Sequence, residues 1–97
     1  MIKHLVLFKI KEEYKSEILN TKEIMLSMMG NVEEVKAIQV GIDFMHSERS
    51  YDIALEVLLE DDEALNKYQV NPYHQTKVKD LMKKIAEKSI TVDYYLE

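Results

Sequence analysis

The sequence predicts one α+β domain over residues 1–97, with elements in the order β-α-β-β-α-β. Two observations lead to this prediction. Four segments alternate between apolar and other residues with the period of a strand, and two segments place apolar residues at helical spacing. Hydrophobic residues make up 46% of the chain, which is enough for a core, and the chain contains only two glycines and one proline.

The first strand is predicted over residues 2–10 and carries apolar groups on both faces. One face presents Ile2, His4, Val6, Phe8 and Ile10, and the other presents Leu5 and Leu7. A helix is expected over about residues 14–29, because apolar side chains recur there at helical spacing. Gly30 is a natural C′ residue and is expected to end that helix.

The second and third strands are predicted over residues 34–43 and about 51–59, joined by a polar hairpin loop. The third strand is again apolar on both faces. The acidic run at residues 60–63 predicts the start of the second helix, since aspartates cap free backbone N–H groups. Asn71-Pro72 interrupts this helix, which resumes through Ala86, and the last strand is expected over residues 89–96.

This order predicts a ferredoxin-like fold, in which two right-handed crossovers place both helices on one face of a four-stranded antiparallel sheet. The other sheet face stays open, although strands one and three carry apolar side chains on it. We therefore predict that a second copy of the chain covers this face, so that a homodimer forms a dimeric α/β barrel. A pocket for a small hydrophobic ligand is expected at the open sheet face.

Charge and composition argue against several classes of protein. The chain has no cysteine, which excludes disulfides and thiolate metal sites. Its formal net charge of −5 opposes nucleic-acid binding, and no membrane segment or targeting signal is evident, so a cytoplasmic location is expected. One basic group is interpreted as the solvated face and C-terminal end of the second helix: Lys77, Lys79, Lys83, Lys84 and Lys88.

Two of the three histidines are candidates for chemistry. His4 lies in the first strand on the side of Val6 and Phe8, and antiparallel pairing with the last strand brings it near Asp93 or Tyr95. The residues assigned to the binding pocket are His4, Val6, Phe8 and Asp93. A carboxylate beside the imidazole would select one tautomer, but the same pair could be a structural hydrogen bond.

His74 follows the helix break, with Tyr68 one element earlier. The two side chains could bind and deprotonate a phenol or an enol, and they are our candidate catalytic residues. The alternative, which spacing alone favours, is that Tyr68 completes an apolar stripe and His74 begins the second half of the helix. No histidine spacing suits a metal and no glycine-rich phosphate loop is present, so neither a metal nor a cofactor is expected.

Four segments together resemble the stress-responsive dimeric α/β-barrel (Dabb, A/B barrel) domain family. They are IKHLVLFK at residues 2–9, YDIALEV at residues 51–57, LNKYQVNPYH at residues 65–74 and Asp93-Tyr94. The third segment matches the family's Y-x-x-h-P-x-H pattern. Asn71 stands where the family often has histidine before the proline, and the proline usual before Gly30 is missing.

The resemblance implies the same dimeric fold and adds functional expectations. In a plant polyketide cyclase of the family, the positions of Tyr68 and His74 carry an aldol-type cyclisation, and the position of His4 belongs to the same pocket. Other members are stress-induced proteins or have no assigned activity. We therefore predict a stress-response domain of unassigned activity that binds a small hydrophobic molecule. The alternatives are cyclase- or lyase-like proton transfer, or a cofactor-independent or haem-directed monooxygenase.

Overall fold

A computed structural model describes all residues 1–97 and contains one four-stranded antiparallel sheet with helices on one face. The spatial order of the strands is β2-β3-β1-β4. Their bounds are Ile2–Ile10 for β1, Ala37–Ile42 for β2, Ile53–Leu59 for β3 and Ala86–Tyr95 for β4. This arrangement confirms the predicted ferredoxin-like fold.

The helical segments cover the sheet face to which the even-numbered residues of β1 point. Helix α1 covers Ile18–Leu26 and follows a 3₁₀ segment at Glu12–Glu17. Helix α2 covers Asp62–Val70, a π-helical segment covers His74–Lys79, and α3 covers Asp80–Ile85. As predicted, an acidic residue caps α2, because the Asp61 carboxylate accepts a 2.8 Å hydrogen bond from the backbone N–H of Ala64.

The first helix is shorter than the predicted span of residues 14–29. After Leu26 the chain tightens into turns, in which the Met29 amide donates to the Leu26 carbonyl three residues earlier. These turns carry Met28 fully into the core. Gly30 has a φ of +91°, the left-handed conformation predicted for the residue that ends a helix.

Two strands begin at other residues than predicted. Strand β2 starts at Ala37 instead of residue 34, because Val32 and Val35 are buried in the turns that precede it. Strand β4 starts at Ala86 instead of residue 89, directly after α3. Ala86 has an extended backbone and pairs with Ile10 of β1, so the helix ends and the strand begins at this residue.

Alternation along β1 separates the two faces of the sheet. Its even-numbered residues are all buried against the helices, and its odd-numbered residues are only half-buried on the open face. The open face is apolar at its centre, as predicted, because Leu5 lies opposite Val92 and Leu7 opposite Ile90. Val92 and Ile90 expose 56% and 50% of their surface.

A buried aspartate, Asp52, forms a hydrogen bond with the end of β1, a contact that the sequence did not predict. The Asp52 carboxylate accepts a 2.7 Å hydrogen bond from the Ile10 amide and one of 3.1 Å from Lys15 Nζ. Because β1 also forms the floor of the candidate site, this anchor helps to hold the strand in place.

Candidate functional site

The interruption of the second helix positions His74. Asn71 has an extended backbone, as expected for a residue before proline, and it ends α2. Its side-chain oxygen accepts hydrogen bonds from the backbone N–H groups of Tyr73 at 2.9 Å and His74 at 3.3 Å. Asparagine at this position, which departs from the family pattern, therefore acts as the cap that restarts the helix.

The restarted segment has π-helical geometry over His74–Lys79, an arrangement that is rare and often found at functional sites. Its buried residues are His74 and Val78. This segment therefore directs the side chain of His74 toward the sheet, although the residues that follow His74 in the sequence are polar.

Tyr68 packs between the two histidines. Its ring centroid lies 4.2 Å from that of His74 and 5.5 Å from that of His4. The tyrosine is fully buried, and its hydroxyl contacts Met28 Sδ at 3.8 Å. Burial raises the pKa of the Tyr68 phenol well above its ordinary value, which keeps the hydroxyl protonated.

His4 pairs with Asp93 across β1 and β4, as the predicted strand pairing requires. The two residues are register partners, and His4 Nδ1 lies 2.5 Å from Asp93 Oδ1. An ionised carboxylate only accepts hydrogen bonds, so we infer that Nδ1 carries the proton and that Nε2 is the free acceptor. Asp93 therefore selects the tautomer of a buried histidine.

His74 is buried and lacks a partner for one ring nitrogen. Its Nδ1 is inaccessible to solvent and makes no hydrogen bond within the chain. Burial lowers the pKa of His74 to about 4, the positive charge of Lys79 acts in the same direction, and the backbone carbonyls of Gln69 and Tyr68 oppose this shift. The imidazole is therefore neutral at neutral pH, with one donor and one acceptor nitrogen.

These side chains share a cleft of about 400 Å³ between the β1–β4 side of the sheet and the segment from α2 to α3. Hereafter "the cleft" means this space. Its apolar lining comes mainly from Val6, Phe8, Leu55, Val78 and Met82, and its polar lining includes His4, His74, Ser89 and Thr91. The volume lies within the range typical of small-molecule pockets.

The structure corrects the predicted position of the pocket. We expected it at the open sheet face, whereas the cleft lies on the helix-covered face. The reason is the period of two in β1, which puts His4, Val6 and Phe8 on the side that the helices cover. Tyr68 and His74 line the same cleft, while Asp93 is connected to it through His4.

Sequence reasoning missed three lysines at the cleft. Lys79, Lys83 and Lys88 line it, although the whole basic group was interpreted as a solvated helix face. A signal was available, because Lys79 and Lys83 directly follow Val78 and Met82, which are buried members of the apolar stripe. Their amino groups therefore lie beside the apolar face of the helix.

No group of three or more histidine, cysteine, aspartate or glutamate residues is arranged to hold a metal ion. None of the helices has the length and apolar character needed to cross a membrane.

Comparison with known proteins supports the resemblance inferred from the sequence. Residues 2–96 match the family model described as the stress responsive A/B barrel domain, which confirms that inference. An uncharacterized protein of Streptomyces coelicolor is 28% identical over 81 residues, which cover 80% of this chain and 84% of that protein.

Solved structures share the fold. A dimeric protein of unknown function with a ferredoxin-like fold from Bacteroides fragilis has a TM-score of 0.84 and 25% identity, covering 98% of this chain and 95% of that one. The hydroxynitrile lyase of Passiflora edulis also has a TM-score of 0.84, over 99% of this chain and 93% of its own. At 15% identity, that likeness shows the fold alone.

Proposed function

Since the chain belongs to the stress-responsive A/B barrel domain family, we propose that it is a dimeric domain that binds a small hydrophobic molecule in the cleft, with the imidazole of His74 as hydrogen-bond acceptor. The observation that carries this proposal is that His74 lines the cleft and that its Nε2, unlike its inaccessible Nδ1, is neither fully buried nor hydrogen-bonded within the chain.

A hydrogen bond contributes about 1 kcal/mol net. A ligand that donates a hydrogen bond to Nε2 of His74 would gain this contribution, and its apolar body would bury the side chains of Val6, Phe8 and Met82. The preferred ligand therefore combines an apolar body with a hydroxyl or N–H group.

The test compares two probes that differ in one hydrogen-bond donor, 4-pentylphenol and its methyl ether, 4-pentylanisole. We expect the phenol to raise the melting temperature of the wild type more than the ether does. At 100 times its Kd a ligand stabilises the folded state by about 2.7 kcal/mol, a shift of roughly 10–20 °C for a domain of this size.

His74→Phe is the matched variant, because it keeps an aromatic ring against Tyr68 and removes both ring nitrogens. In this variant the two probes should give equal shifts. Equal shifts in the wild type, or a preference for the phenol that survives in the variant, would contradict the role given to His74.

A second candidate function is proton transfer, and one observation favours it: a neutral imidazole with a free nitrogen can act as a base. The hydroxynitrile lyase with the same fold suggests a probe, mandelonitrile, which releases benzaldehyde and cyanide once its hydroxyl proton is removed. We expect His74→Phe to abolish any benzaldehyde release above background. Tyr68→Phe should preserve it, because the tyrosine hydroxyl is buried against Met28. If the wild type releases no benzaldehyde above background, this candidate fails for hydroxynitriles.

The proposed dimer forms through the open sheet face. Its support is the apolar centre of that face, where Leu5, Leu7, Ile90 and Val92 lie together, and the description of the Bacteroides fragilis protein as dimeric.

A charged side chain placed at the centre of the open sheet face would remain desolvated in the interface. We expect Leu5→Lys to shift sedimentation toward the monomer. Leu19→Lys, on the exposed surface of α1, is the control and should leave the dimer intact. A dimer that persists in Leu5→Lys would place the interface elsewhere.

A further inference from the structure

The cleft has a charge opposite to that of the protein as a whole. The chain has a formal net charge of −5, yet three of the residues that line the cleft are lysines and none is an aspartate or a glutamate. None of the three lysines forms an ion pair within the chain, since the ion pairs involve other residues. Lys88 is the register partner of Lys9 on the open face of the sheet, and its amino group lies over the Tyr51 ring and not in the cleft. We call the other two, Lys79 and Lys83, the cleft lysines.

Stabilisation of a helix end accounts for only part of this arrangement. Lys83 lies in the last turn of α3, where a cation interacts favourably with the helix dipole. Lys79 lies inside the helical stretch that continues to Ile85, away from its C-terminal end, so the dipole gives no reason for its position. Lys79 Nζ donates to the Gln69 carbonyl at 3.3 Å, which holds its charge beside the cleft.

Resting on the proposed function, we propose that the ligand of the cleft is an amphipathic organic anion whose carboxylate or phosphate group interacts with the cleft lysines. Its apolar body lies on the side chains of Val6, Phe8 and Met82, and a hydroxyl or N–H group elsewhere in the molecule donates to His74.

The anionic group and the donor group of the ligand require different partners in the cleft. A carboxylate has no proton to donate at neutral pH and cannot satisfy the acceptor nitrogen of His74. Ammonium groups, by contrast, are donors that attract an anion. One molecule can contact both the cleft lysines and His74 when an apolar spacer separates its anionic group from its donor group.

The probes are 4-(4-hydroxyphenyl)butanoate and its methyl ester, which share the phenol and the spacer and differ in one charge. A third probe, 3-(4-hydroxyphenyl)propyl phosphate, distinguishes a phosphate from a carboxylate headgroup. Affinities are measured by calorimetry at low and at high salt, because screening weakens exposed charge interactions.

Two charge reversals complete the design. Lys83→Glu changes the cleft, whereas Lys84→Glu changes the adjacent residue, which does not line it. The variants are matched, because both lysines lie in the last turn of α3. Lys79 is left unchanged, since it donates to the backbone.

We expect at least one anion to bind the wild type more tightly than the ester does. Lys83→Glu should weaken binding of that anion by roughly 2- to 30-fold, because it removes one partly exposed attraction and adds a repulsion of similar size. The ester should bind both variants alike, and the advantage of the anion should shrink at high salt.

The two proposals fail in different ways. If the ester binds as tightly as both anions, or if Lys83→Glu and Lys84→Glu weaken binding of the anion equally, the inference about charge is wrong and the proposed function stands. If none of the three probes binds, and 4-pentylphenol gives no preference over its ether, both are wrong.

Discussion

Replacing His74 with phenylalanine is expected to make the protein less sensitive to acid. Burial lowers the pKa of this imidazole from 6.5 to about 4 in the folded state. Between these values the unfolded chain binds a proton that the folded chain excludes. The stability that depends on neutral His74 is therefore present above pH 6.5 and is lost as the pH falls.

The size of the effect follows from the two pKa values. A difference of this size, at 1.36 kcal/mol per pKa unit, corresponds to an upper limit of about 3 kcal/mol. At pH 5.0 about 60% of this amount is expressed, because that pH lies about 1.5 units below the unfolded pKa of 6.5. We expect His74 to account for about 2 kcal/mol of the stability lost between pH 7.5 and pH 5.0.

The assay is urea unfolding followed by circular dichroism at the two pH values, with all proteins at equal concentration. A difference of about 2 kcal/mol moves the urea midpoint by roughly 1–2 M. His74→Phe should lose that much less stability than the wild type. His46→Asn is the control, because His46 is exposed and has a φ of +52°, which asparagine tolerates. Equal losses in the wild type and His74→Phe would refute the account of His74 as a buried neutral imidazole.

Three further changes test the framework around the cleft. Asp52→Asn should lower the free energy of unfolding by about 1–3 kcal/mol, because the buried amide of Ile10 loses its charged acceptor. Chemical denaturation measures this loss, and an unchanged denaturation midpoint would contradict the anchoring role of Asp52. Asp61→Ala should cost about 1 kcal/mol through loss of the cap on Ala64, and Asp61→Asn should restore most of it. Tyr68→Phe should change stability by less than about 1 kcal/mol, since its hydroxyl meets only a weak sulfur acceptor. A larger loss on thermal unfolding would show that the hydroxyl has a stronger partner.

The sequence determined the order of the elements because each has a local signal. Alternation in β1, the glycine after α1 and the acidic start of α2 all act over a few residues, and the structure confirms each of them. The ends of elements were less predictable. Strand β4 begins three residues early, because pairing with Ile10 decides where the strand starts.

Sequence also selected several of the residues that line the cleft without locating the cleft. Histidine in an apolar strand, and histidine after a helix break, are unusual enough to mark His4 and His74. Strand pairing in the predicted topology brought Asp93 or Tyr95 near His4, and the structure pairs His4 with Asp93. Their functional roles remain predictions that the experiments above address.

Only the tertiary structure decided which face of the sheet holds the pocket and which lysines line it. Both faces of β1 carry apolar side chains, so hydropathy alone does not show which of them the helices cover. The unpartnered nitrogen of His74 is likewise a property of packing, because it depends on backbone and side chains from several elements that lie near the ring. Local physics specifies where strands and helices form, whereas burial and hydrogen-bond satisfaction arise only when distant segments meet.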